Sequence, residues 1–464
     1  MVFSSLIFLY AFLPITLLLF FIIKNQTYRN FVLILASLLF YAWGEPVWVS
    51  LLLFTVLVDY YFGLKVEKYR GRWQSKAALI SAITANLAVL AFFKYSAFFA
   101  ENINLLFHTQ LPYYQYGLPL GISFYTFQAI CYVVDVYRGE MTCQKSFPKL
   151  LLYISLFPQL VAGPIVRYKD IAQQIDQRVI TLAGFSEGIT RFTIGLAKKV
   201  LLANTAGELA GAYLNGNLAE ATVLGAWFGI TLFALQIYFD FSGYSDMAIG
   251  LGRMFGFTFK ENFNHPYVST SATEFWRRWH ISLGSFFRDY VYIPLGGNRS
   301  HHIRNMFVVW FLTGFWHGAS WNFIVWGLYY GLLIMLEKKF LLSLFAKLPK
   351  VFSHVYLLVA ALVGWVFFYY TEFAKAIDFL GIMFGLANRQ LVNQDVITAI
   401  YNNCTFLALA IIGCTPVLAK LQSLKNPWGR YLEVGKPVIC FALLIVCSVL
   451  LVGNSYNPFL YFRF

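Results

Sequence analysis

Of seven histidines in the chain, one stands in surroundings unlike those of the rest. His317 lies in Phe315-Trp316-His317-Gly318-Ala319-Ser320-Trp321-Asn322, and no Asp, Glu, Lys or Arg occurs between Arg304 and Glu337. An imidazole with an ordinary pKa of about 6.5 can take the proton from a hydroxyl as its oxygen attacks an acyl carbonyl. Apolar surroundings would keep water from an activated acyl donor. An ionisable side chain in so apolar a stretch is a functional candidate. The residues support equally well a neutral imidazole hydrogen-bonded to a neighbouring helix.

His280 is the second candidate, in Glu274-Phe275-Trp276-Arg277-Arg278-Trp279-His280-Ile281-Ser282-Leu283. Helical spacing would put Trp276 and Trp279 on its face and turn Arg277 and Arg278 elsewhere. An interfacial aromatic belt with snorkelling arginines explains the same string, and the residues alone lean toward it. His108, His265, His301 and His302 stand in polar or turn-like context, and His354 begins an apolar run as an interfacial residue would. Asp240-Phe241-Ser242-Gly243-Tyr244-Ser245-Asp246 offers two carboxylates that could orient a base, bind a cation or cap the next helix. Capping is the safest of these readings. No H-E-x-x-H helix, G-x-S-x-G elbow or Walker A loop is present, and Gly250-Leu251-Gly252 lacks the third glycine of a dinucleotide fingerprint. Six cysteines form no C-x-x-C pair, so neither disulfides nor a metal site is expected.

The elements that must position these residues belong in a bilayer. The 464 residues are 59% hydrophobic and only 12% charged, which excludes an ordinary soluble domain. Long uncharged runs recur at Met1 to Ile23, Ala77 to Phe93, Leu150 to Val166, Ala221 to Phe239, Val351 to Thr371, Ile400 to Ala419 and Pro437 to Phe462. With composite runs they predict an all-α, multi-pass membrane protein of about ten to twelve embedded segments. The first run lacks the basic start of a signal peptide and reads as a retained helix. The run from Asn305 to Leu336 predicts a helix, a break and part of a second helix, with Gly314, Gly318 and Gly327 as places to bend.

The net charge of +14 is read as orienting the chain in the membrane, in preference to nucleic-acid binding. Lys24 and Arg29, then Lys65, Lys68, Arg70, Arg72 and Lys76, alternate with loops of low charge and favour an outside N-terminus. The alternation fails after Arg138, and the Leu150 to Val166 run then reads as re-entrant. No linker or repeat divides the chain, so a single domain, 1–464, is expected. Its region of about 235–330 is crowded with charge, which membrane depth tolerates only around a protein-lined or watery cavity.

The chain resembles the membrane-bound O-acyltransferases, and within them the subunits that acetylate bacterial glycans. The resemblance covers essentially its whole length. It rests on Met1-Val2-Phe3-Ser4-Ser5, Gly121-Ile122-Ser123-Phe124-Tyr125, Ala162-Gly163-Pro164 and Tyr238 through Gly250. It continues through Phe275 to Leu283, Leu295-Gly296-Gly297-Asn298-Arg299 and Trp316-His317-Gly318. The resemblance implies tilted and re-entrant helices around a central tunnel, with His317 as the catalytic histidine and His280 as the second characteristic one. Trp276, Trp279, Trp316, Asn322, Asp240, Ser242 and Asp246 are then expected to support the site or its tunnel. It further implies acetyl-CoA, or another acyl thioester, as donor substrate, with no bound cofactor. Implied partners are an extracytoplasmic acetyltransferase and a polysaccharide acceptor such as alginate or peptidoglycan, at a bacterial inner membrane. Arg253, Lys260, Arg277, Arg278 and Arg288 could attract donor phosphates or simply mark the cytoplasmic face. The C-terminal aromatic motif, 458–464, is similar to the terminal motif of such subunits and of a small peptide in lipoteichoic-acid D-alanylation. That likeness implies Tyr461 as an acyl carrier deprotonated by His317, beside the plainer role of an interfacial anchor. Direct acylation of a lipid or protein is the alternative within the family. A proton-coupled transporter, with His317 and His280 as relays, is the alternative outside it.

Overall fold

The computed structural model describes residues 1–114, 116–161, 163–417, 420–421, 427–454 and 456–460, except for the side chains of 427–433. Regular structure among them is entirely helical. Among the described residues, five helices are long and apolar enough to cross a membrane: Val49–Lys68, Trp73–Phe107, Val223–Met254, Lys350–Tyr369 and Val434–Gly453. Gln394–Asn402 and Cys404–Gly413, bent by 62°, make a sixth if they act as one span. Other apolar runs break into short helices. Leu150 to Val166, for example, becomes Phe147–Ser155 and a four-residue helix Phe157–Leu160, both buried. At about 1.5 Å per residue neither can cross 30 Å of hydrocarbon. The first helix also starts later than the run from Met1, with a π-helical turn at Phe8–Phe12 leading into Leu13–Ile22.

The chain packs as two compact units. The first comprises Met1–Phe192, Ser245–Glu261 and Arg288–Tyr290. Its core includes Phe3, Phe8, Phe40 and Phe157, all essentially inaccessible. Asn25 caps the Gln26–Gly44 helix through a bond from Tyr28 N–H. Asp59, fully buried, accepts a bond from Asn86 Nδ2 across the Val49–Lys68 and Trp73–Phe107 helices. The carboxyl thus has a polar partner at membrane depth.

The second unit comprises Thr193–Tyr244, Asn262–Phe287 and the chain from Val291 onward. Its core is aromatic, with Phe275, Trp279, Trp326, Tyr330, Trp365 and Phe368 buried together. The Val434–Gly453 helix differs: only 6% of its apolar window is buried inside the protein, so bilayer lipid must supply its contacts. The charged stretch after Gly243 does not form a lipid-facing hairpin. Beyond Met254 it is irregular, with two seven-residue helices, Ala272–Arg278 and Ile281–Phe287.

Candidate active site

A tight helical hairpin carries His317. It ends the His302–His317 helix, Gly318 to Ser320 make the turn, and Ser320 caps Trp321–Leu336 by accepting from Asn322 N–H. The expected break is at Gly318, but Gly314 and Gly327 do not bend their helices; they let them touch. A Cβ on Gly314 would fall on the Phe323 carbonyl oxygen, and one on Gly327 would fall on the Trp310 carbonyl oxygen and lie 3.1 Å from Gly314 Cα. This close approach seats His317 among aromatic rings. Trp316 and Trp326 lie 4.9 Å away and Phe368 5.3 Å, all edge-on, and the imidazole is 4% exposed. Asn322, also buried, donates from Nδ2 to the Tyr370 carbonyl and ties the turn to the end of the Lys350–Tyr369 helix.

His280 does not share a helical face with Trp276 and Trp279 as its spacing predicted. The Ala272–Arg278 helix stops before it, Trp279 is extended, and His280 itself is left-handed at φ 45°. The stop is enforced by pairing with a neighbouring segment: Asn264 N–H donates to Arg278 O, and Ile281 N–H to Asn262 O, both at 2.9 Å. Trp279 nevertheless stacks on Phe275, and Trp276 reaches Trp326 and Tyr330 at ring distances of 5.3 and 4.9 Å. The belt reading also fails for His280 and Trp279, which are 1% and 2% exposed.

The protonation of His280 follows from Asn262. Asn262 Oδ1 accepts from Ser282 N–H at 3.1 Å and from its hydroxyl at 2.9 Å, so the atom is the amide oxygen. The same oxygen lies 3.2 Å from His280 Nδ1, which must therefore carry the hydrogen. That leaves Nε2 as the acceptor nitrogen. Burial pushes the pKa of the ring down to about 3, so it is neutral at physiological pH. Trp316 lies 6.2 Å from His280 and 4.9 Å from His317, touching both imidazoles.

Glu337 was missed in the sequence, where it served only to end an uncharged stretch. It is fully buried, and its two oxygens accept from Ala272 N–H, Thr273 N–H, the Thr273 hydroxyl and the Tyr356 hydroxyl. The carboxylate thereby holds the first turn of the helix that bears Trp276. Asn262 was likewise missed. In each case the partner lies too far along the chain for local pattern to reveal it.

The capping reading of Asp240 and Asp246 is overturned, since both lie inside the Val223–Met254 helix. Asp240 pairs with Lys199 at 2.8 Å, both essentially buried. Ser242 is buried beside it in sequence. Asp246 belongs to the other unit, where Arg191 pairs with it and with Glu261, each at 2.6 Å. Among the basic candidates, Arg278 is paired with Glu274, Arg253 with Glu187 and Lys260 with Asp170. Arg288, in the first unit, is paired with Asp289 at 2.6 Å. Burial alone would raise the Asp289 carboxyl, but hydrogen bonds from Arg288 and Arg167 hold it below the usual range. Arg277 is exposed and has no ion pair among the described residues, so it carries the uncommitted charge of this set. Tyr461 lies outside the described residues.

Residues 83–377 match the MBOAT, membrane-bound O-acyltransferase family. Over the full length of both chains the protein is 39% identical to a probable alginate O-acetylase of Pseudomonas putida. It is 32% identical to the peptidoglycan O-acetyltransferase of Helicobacter pylori, over all of this chain and 98% of that protein. A teichoic acid D-alanyltransferase of Bacillus subtilis is 28% identical over 67% of this chain and 80% of its own.

Proposed function

The chain belongs to the membrane-bound O-acyltransferase family, and from that premise we propose that it O-acetylates an extracytoplasmic polysaccharide, with His317 as general base. One observation carries the assignment of the base: an ionisable imidazole is enclosed by Trp316, Trp326 and Phe368 at the turn of a hairpin that has no Asp, Glu, Lys or Arg between Arg304 and Glu337. That enclosure favours acyl transfer over hydrolysis by excluding water. His280, neutral and presenting Nε2 as an acceptor, receives or orients a hydroxyl on the acceptor path. The names of the relatives, which modify alginate and peptidoglycan, support a glycan as final acceptor.

In the reaction, acetyl-CoA or another acyl thioester is the donor, supplied from the cytoplasm. An acceptor hydroxyl, for which we nominate that of Tyr461, loses its proton to His317 as its oxygen attacks the thioester carbonyl. The tetrahedral oxyanion collapses, the carbon–sulfur bond breaks, and the leaving thiolate takes the proton back from the imidazolium. The tyrosyl ester then passes its acyl group to an extracytoplasmic partner transferase and so to the glycan. Arg277 offers the uncommitted cation for donor phosphates. The bacterial inner membrane is where such a donor and acceptor lie on opposite sides.

The test is the O-acetyl content of purified surface glycans in a deletion strain complemented with wild type or His317→Ala, at equal membrane levels. Rescue by wild type alone supports the reading. Unchanged acetylation in the deletion strain removes the glycan as acceptor and leaves direct acylation of lipid or protein.

A further inference from the structure

A buried ion pair ordinarily satisfies itself, but Lys199 and Asp240 each spend part of their bonding on the end of the chain. Lys199 sits in the π-helical turn Lys198–Ala203, and Asp240 midway along Val223–Met254. The Lys199 ammonium is 2.8 Å from Asp240 Oδ1 and 2.8 Å from Asn204 Oδ1, and its remaining bond goes to the carbonyl of Pro458. Asp240 Oδ2 accepts from the main-chain N–H of Leu460 at 2.8 Å. One cation and one anion thus grip an acceptor and a donor two residues apart on the same strand of main chain.

The side chains of the segment reinforce the register. Asn204 donates to Asn457 at 3.2 Å, Gln236 to the Tyr456 hydroxyl at 3.5 Å, and the Phe459 ring packs 4.6 Å from that of Tyr244. A Cβ on Gly207 would meet the Tyr456 hydroxyl at 2.8 Å, so a side chain there would disturb the seat. Leu460 then forms part of the wall of a cavity of about 690 Å³, shared with Asn215, Asn217, Tyr369, Glu372 and Lys375.

We infer that Lys199 and Asp240 are positioning residues that clamp the main chain of the C-terminal segment, 456–460, and so hold Leu460 in the wall of this cavity. The inference rests on the acyl-transfer reading above for its purpose, but its physical content is separately measurable. Charges desolvated in a protein interior contribute little net stability as a pair, and an apolar replacement of both is often neutral or stabilising. A clamp predicts that such a replacement leaves the fold intact but frees the segment.

The experiment compares wild type with Lys199→Met/Asp240→Leu, purified in detergent, by hydrogen exchange of the C-terminal peptide, thermal unfolding and glycan acetylation in cells. The expected result is exchange of the Leu460 amide faster by roughly ten- to a hundredfold, the equivalent of one charge-assisted hydrogen bond. Acetylation should be lost while the unfolding temperature is kept. Unaltered exchange and acetylation in the double variant would overturn the clamp. Should that variant not fold, Leu460→Pro removes the main-chain N–H that Asp240 accepts and leaves the ion pair itself in place. It should loosen 456–459 and abolish acetylation, and unchanged protection there would likewise overturn the proposal. If exchange responds as expected while the His317 strains show no glycan phenotype, the clamp stands and the glycan reading falls.

Discussion

Replacing Glu337 by glutamine should destabilise the second unit by about 2 kcal/mol, although the side chain keeps its size. Oε1 accepts from Ala272 N–H and the Tyr356 hydroxyl, and Oε2 from Thr273 N–H and the Thr273 hydroxyl. A glutamine has one oxygen and one NH₂, so one of these two positions becomes a donor. The hydroxyl at that position can rotate and accept, but the backbone N–H cannot. Either orientation of the amide therefore strands one buried main-chain donor, at about 1–3 kcal/mol. Loss of the negative charge at a helix N-terminus adds roughly 0.3–1 kcal/mol. The assay is denaturant unfolding in mixed micelles, with acyl transfer measured alongside. Because Trp276 rides on this helix and His280 follows it, activity should fall beyond what the lowered folded fraction explains. A glutamine variant within about 0.5 kcal/mol of wild type, the scatter expected of a neutral surface change, would refute this account of Glu337.

Gly314→Ala should lose about 1–3 kcal/mol and most activity, because its methyl would press on the Phe323 carbonyl and part the hairpin beneath His317. The control is Gly381→Ala, in the Phe373–Met383 helix with open space at its Cβ, where unfolding should show unchanged or slightly raised stability. His280 predicts a pH dependence of stability. Its folded pKa of about 3 lies below the unfolded value of about 6.5, so the unfolded state binds the proton more readily. Stability is therefore fully present above pH of about 6.5 and falls by up to 1.4 kcal/mol per unit, roughly, as the pH drops from there toward 3. Unfolding of wild type and His280→Gln between about pH 7.5 and 5.5 checks this, and equal slopes would count against a buried neutral His280.

Much was legible without coordinates, for a physical reason: a bilayer imposes its demands locally. Long apolar runs marked most of the spanning helices, and the histidine standing in a stretch with no Asp, Glu, Lys or Arg between Arg304 and Glu337 marked the candidate base. Glycine marked the turn after it. Helical periodicity misled at Trp276, Trp279 and His280, because main-chain bonds to Asn262 and Asn264 stop the helix, and propensity yields to such pairing. Not every apolar run became one long helix, because apolar residues can be buried by protein as well as by lipid, as Phe147–Leu160 is.

The sequence by itself determined that this chain is a membrane protein whose charge crowds into the stretch after Gly243, because hydropathy and charge are properties of residues one at a time. Only the tertiary structure decided what each buried charge does. Glu337 holds a helix that begins 65 residues earlier, Asp240 and Lys199 share the chain's last described residues, and Asp246 pairs with Arg191 inside the first unit. Desolvating a carboxylate or an ammonium is tolerable only beside its partner, and which partner that is depends on packing between segments far apart in the chain.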